Sequence, residues 1–352
     1  MIHLRAPRFG GQAPLRAPRF GGQGPWWVTL TLLAVVAAGA VARSQDGSFT
    51  QVASIPGPAD LVQVHGNRAY VVGHGSLRIF DIAVLQTPRE LGSYTFPEKI
   101  WGIEVVDPLI YVAADFYGFG ILDISNPAAP RLRGSLKTPG QAKSVAVVGT
   151  KAAIADHMSG VDFVDTSNAD KPTMLGSFYV EGYAREVAAF GSIAYAVDAP
   201  TGVYAFDMTQ PGALEPVHTQ QTATAPGMIV VSDPKAAPPN LAVLVGGGSL
   251  QVYDLSKPSA PVRLGALKTP SGRPLRAALH GSHAFVADWR EGLQVVDLSN
   301  PKAPRVVATH KTAAQARDVA VAGSHAFVVV GAPSETPREF KDQEVLILKH
   351  SF

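Results

Sequence analysis

Residues 293–304 read LQVVDLSNPKAP, and the phrase returns along the chain: LRIFD at 77–81, ILDISNPAAP at 121–130, VDFVDTSNADKP at 161–172 and LQVYDLSKPSAP at 250–261. Apolar side chains alternate up to the aspartate, the period of a half-buried strand. The aspartate then opens a turn, because its short carboxylate can accept backbone N–H bonds from the residues just ahead. The aspartates of this phrase are Asp81, Asp123, Asp165, Asp207, Asp254 and Asp297, spaced 42, 42, 42, 47 and 43 residues apart. Self-similarity at such a period means an array of identical supersecondary units.

Each period holds four strand-like segments. A short alternating run comes first, as at 144–148 or 318–322, and a Gly-containing turn leads to a second, as in AYVV at 69–72 and AFVA at 284–287. The aspartate-terminated run is the third. The fourth follows the prolines, at 91–94, 133–136, 175–178, 264–267 and 307–310. No stretch has the period of an amphipathic helix. Four antiparallel strands every ~42 residues predict the blades of a β-propeller. Six aspartate-bearing units are followed by a seventh whose third strand is VLIL at 345–348, with Lys349 in place of the aspartate. That unit lacks a fourth strand, and residues 50–55 form an unassigned segment of the fourth type. The expected architecture is therefore all-β: a seven-bladed propeller over 49–352, closed by pairing of the N-terminal strand with the C-terminal blade.

The repeat resembles the LVIVD-repeat family, named for the strand that here reads LRIFD, VDFVD, LQVYD and LQVVD. The resemblance covers over 80% of the chain and implies an exported, propeller-like array. It implies little biochemistry.

Composition agrees with this reading. The chain of 352 residues is 46% hydrophobic and 16% charged, below the usual quarter, which excludes a disordered or nucleic-acid-coating protein. Gly and Pro together make about 18% of it without a three-residue period, which excludes collagen and suits short strands joined by tight turns. With no cysteine, disulfides, thiolate metal sites and a catalytic thiol are excluded. Residues 1–43 carry five arginines and no acid, so the rest of the chain has 25 basic against 28 acidic residues. A body of net charge −3 has no field with which to draw nucleic acid or anionic lipid.

Residues 1–25 contain a tandem duplication, LRAPRFGGQAP then LRAPRFGGQGP, too rich in Gly and Pro to pack, and are read as a disordered basic leader. A 17-residue apolar run follows at 26–42, ending in Ala40-Val41-Ala42. It is read as a signal peptide or a signal-anchor helix. Arginines before it predict an exported body, periplasmic or extracellular, touching the membrane only through this segment.

Candidate sites follow from what differs between blades. The repeated aspartates read as turn residues, and His283 and His325 as exposed turn residues. Asp115, Asp156, Asp198 and Asp288 each end a second strand, with His74 and His157 nearby, and Lys143, Arg185 and Arg317 lead into first strands on the same face. A second group on that face is Trp101, Phe116, Tyr117, Trp289 and Arg290. Aromatic and Arg residues are the types that dominate interface energy. The favoured reading is a non-enzymatic scaffold that recognises another envelope or surface protein, or a surface polymer, without a cofactor. The alternative is a metal-assisted hydrolase or lyase, with a divalent cation at the channel mouth held by Asp115, Asp156, Asp198, Asp288, His74 or His157. It requires those carboxylates to converge on a common point.

Overall fold

The computed structural model describes residues 48–199, 201–209, 215–222, 225–232, 238–333 and 340–352. The expected leader and apolar segment, residues 1–42, lie outside them. No helix among the described residues is long and apolar enough to cross a membrane.

The described chain forms seven four-stranded antiparallel sheets. Six are consecutive in sequence, at residues 61–95, 102–136, 144–178, 183–221, 228–268 and 276–310, and are numbered here as blades one to six. Blade seven takes its first three strands from Gln315–Ala322, His325–Pro333 and Phe340–His350, and its fourth from Phe49–Pro56. In that closure Ile55 stands opposite Val345 and Phe49 opposite His350, with a bulge between Gln51 and Ala53. The expected closing strand is thus in place.

The core is divided. Each of seven buried apolar clusters joins two neighbouring blades. At the seam, Ile55, Val345 and Ile347 pack with Phe327 and with Val62, Val71 and Phe80 of blade one. The strand alternation provides for this: one side chain in two faces the preceding blade and the next faces the following one.

The repeated aspartates are turn residues, as expected. In all six, Oδ1 accepts the backbone N–H two residues on, at 2.8–3.0 Å. Hydrogen bonds from the residue two on, from its backbone chiefly for Asp165 and Asp207 and from the Ser256 and Ser299 side chains chiefly for Asp254 and Asp297, hold the first three carboxyls below the usual range and that of Asp297 down at about 2. The proline-rich turn that follows docks on the fourth strand of the preceding blade. A Cβ at Gly92 would lie 2.5 Å from the Pro127 carbonyl oxygen, and one at Gly134 2.4 Å from that of Ala169. The recurrent glycine of the fourth strand is therefore a docking notch. His283 and His325 are not exposed turn residues: each begins a second strand and is half-buried, and His283 packs against Phe352 at 5.4 Å.

Candidate functional site

The seven first strands surround a central channel, with a cavity of about 370 Å³. Equivalent positions on those strands hold Leu61, Gly102, Ser144, Glu186, Met228, Arg276 and Asp318. Four of the seven are polar, and they bond to one another or to the neighbouring backbone. The Ser144 hydroxyl donates to Glu186 Oε1 at 2.9 Å, and Arg276 Nη1 donates to Glu186 Oε2 at 3.0 Å. Asp318 Oδ2 accepts the Val62 N–H at 2.8 Å across the closing seam. Two residues further along blade two, Glu104 also lines the channel. Burial, reinforced by Glu186, pushes its carboxyl up to about 7. Burial likewise raises Glu186 and Asp318, against the pull of Arg276. Arg276 is itself held above its ordinary value, chiefly by Glu186.

This cluster was not among the expected site residues. The sequence does carry a signal for it. Every second residue of an inner strand must face the channel, so Glu104, Glu186, Arg276 and Asp318 stand out as charged positions in an otherwise uncharged set.

At one mouth of the channel several expected residues do meet. The Trp101 indole N–H donates to Asp115 Oδ2 at 2.7 Å, and Lys143 Nζ lies 3.6 Å from the same oxygen. Lys143 and Lys99 stand over the Trp101 ring at 4.2 and 4.4 Å. Lys99 in turn pairs with Asp60 at 3.4 Å, and Arg317 with Asp60 at 3.0 Å. Burial works against the Asp60 charge, but Lys99 and Arg317 outweigh it and hold the carboxyl below its ordinary value.

The four second-strand aspartates do not form an equivalent set. Counted back from the turn aspartates Asp123, Asp165 and Asp297, Ala114 takes the place of Asp156 and Asp288, and Asp115 stands one position later, where blades three and six have His157 and Trp289. All three make a bridge to the next blade's lead-in, to Ala142, Ala184 and Ala316 respectively. All three have positive φ, 39°, 54° and 48°, as does His74 at 52°. Such strain costs about 1–3 kcal/mol per residue and tends to collect at functional surfaces.

Asp156, Asp198 and Asp288 are instead wholly buried and turn to their own blades. Asp156 accepts from Thr138 Oγ1 at 2.8 Å and from the Gly140 N–H, Asp198 from the Gly182 N–H at 3.3 Å and from Thr201 Oγ1, and Asp288 from the Ser271 N–H at 3.1 Å and from Ser271 Oγ. No group of three or more His, Asp or Glu among the described residues is placed to hold a metal ion. The carboxylate convergence that the metal reading requires is not present.

The aromatic group also divides. Tyr117 is a packing residue, edge-on to Phe96 at 5.3 Å, and Trp289 is half-buried with Arg273 4.0 Å above its ring. Phe116, Arg185 and Arg290 are exposed. Beside them lie three exposed residues outside the expected set: Met158, Tyr179 and Tyr183, the last stacked on His157 at 4.9 Å.

Seven four-stranded blades around a channel, closed by strands from the two ends of the repeat array, define a seven-bladed β-propeller. The LVIVD repeat model matches residues 56–95, 99–138, 139–180 and 272–312, so blades one, two, three and six carry LVIVD repeats. No curated protein sequence matches it. Among solved structures it is similar to the Cps50 (Swd1) β-propeller domain of Myceliophteria thermophila, with TM-score 0.69 and 9% identity over 86% of this chain and 100% of that one. BamB from Moraxella catarrhalis matches with TM-score 0.61 and 12% identity over 86% and 98% of the two chains. The computationally designed Ika8 protein matches with TM-score 0.61 and 12% identity over 85% and 99%. At such identities the likeness is one of fold.

Proposed function

We propose that this protein is an exported recognition propeller that binds another envelope or surface protein through one face. One observation carries the reading. Trp101, Phe116, Met158, Tyr179 and Tyr183 are exposed large apolar side chains, and all lie on the face of the second-to-third-strand loops, across blades two to four. On the opposite face the exposed large apolar residues among those described are valines, Val84, Val106, Val217 and Val262. Aromatic side chains and Met are the residue types enriched in interface cores, and an apolar patch rimmed by Lys137, Arg185 and Lys143 suits a polar-rimmed contact. Export rests on the arginines of residues 1–25 and the apolar run at 26–42.

The test is site-specific photo-cross-linking in cells followed by fractionation. A cross-linker at Phe116 or Tyr179 is expected to trap one discrete partner in the exported or membrane fraction. A cross-linker at Val84 or Val262 is expected to trap none. Equal trapping from both faces would overturn the assignment of the face, and recovery of the protein from the cytoplasm would overturn export.

A further inference from the structure

In the channel, Glu186, Arg276, Ser144 and Asp318 satisfy one another or the neighbouring backbone, so those charges are accounted for within the walls. Glu104 stands outside that set. It lines the cavity, feels the Glu186 carboxylate, and has no hydrogen bond or ion pair among the described residues. Blade three lies between Glu104 and Glu186 and contributes Ser144 and Ala146, small side chains that leave the space open.

We propose that the channel binds a small organic cation, its ammonium group held between Glu104 and Glu186 in the space beside Ser144 and Ala146. The cavity of about 370 Å³ falls in the range of small-ligand pockets. A metal ion suits it less well. Hard cations need six or more oxygen ligands at about 2.0–2.6 Å, and the described residues provide no group of three acids or histidines so placed. An ammonium group has three donors and is served by a few dispersed acceptors. Arg276, bonded to Glu186 at 3.0 Å, supplies a fixed cation on that side of the site, so the ligand's charge is directed towards Glu104 on blade two.

The same geometry makes binding depend on pH. Glu104 faces Glu186 in the channel, with Arg276 and Asp318 beyond it and Lys99 and Lys143 at the Trp101 mouth. With burial holding its carboxyl near 7, Glu104 is protonated in mild acid and charged in mild base. The ligand is therefore held more tightly as pH rises.

The experiment is isothermal titration of the full chain with 1,5-diaminopentane, and with glutarate as an anion of the same length. Binding of the diamine is expected at pH 8, at least tenfold weaker at pH 5.5, with no binding of glutarate. Glu104→Gln removes only a charge and should weaken binding at least tenfold while leaving the circular dichroism spectrum and thermal midpoint of the ring intact. Ala146→Leu, which fills the space, should do the same and decides the matter if the first variant fails to fold. Absence of diamine binding at millimolar concentration, equal binding by both variants, or equal binding of glutarate would each overturn the proposal.

Discussion

The buried carboxyls of blade three show how one side chain sets a pH response. Asp162 and Asp156 are both wholly buried, and Asp162 Oδ1 accepts from the Ser177 hydroxyl. Burial, helped by the neighbouring Asp156 charge, pushes Asp162 up to about 7. Its folded pKa lies above the unfolded one, so the folded state holds a proton that the unfolded state has released. That stabilisation is complete below about pH 4 and is lost as pH rises through 7. Asp162→Asn keeps the shape and removes the ionisation. It is expected to raise stability at pH 8 and to change it little at pH 4, as read from urea denaturation at the two values. Equal effects at both would show that the pair does not titrate in this range.

At the scale of the strand, the docking notch makes a sharp prediction. Gly134→Ala would set a methyl group 2.4 Å from the Ala169 carbonyl oxygen and 2.7 Å from Pro172 Cδ, both on the next blade. Overpacking of this kind costs about 1–3 kcal/mol. Ser135→Ala on the same strand is exposed and serves as the control. Chemical denaturation should separate the two, and a neutral Gly134→Ala would mean the turn docks loosely. This notch explains why the aspartate phrase was so legible. The turn is used by six blades and must fit its neighbour, so its residues recur, and the blade count and the closing strand could be read from them. The channel was less legible. Glu104, Glu186, Arg276 and Asp318 come from four different blades and are brought together only by closure of the ring. The false equivalence of Asp115 with Asp156, Asp198 and Asp288 has a local cause. Blade two has Ala114 at the buried position that Asp156, Asp198 and Asp288 hold and an aspartate at the next position, on the rim, so neighbouring positions of one loop carry the same residue type in different surroundings.

For the whole ring, stability should concentrate at the seam. Ile55 is 1% exposed and packs with residues of blades seven and one. Ile55→Ala should cost about 2–5 kcal/mol, the range for truncating a buried aliphatic side chain. Removing residues 49–56 should lower the unfolding midpoint of every blade together, because the loss leaves strand Phe340–His350 as an open edge and wets the blade-one interface. Differential scanning calorimetry would register one cooperative transition at reduced temperature. A variant that melts blade seven alone, leaving the rest at the original midpoint, would argue that the blades are independent.

The seam also fixes a timetable. The strand Phe49–Pro56 is synthesised early, yet its partner Phe340–His350 follows nearly 290 residues later. At about 5–20 residues per second this is a wait of roughly 15–60 s. Throughout that interval the ring cannot lock, and the growing chain stays short of its final form until its last strand has been made.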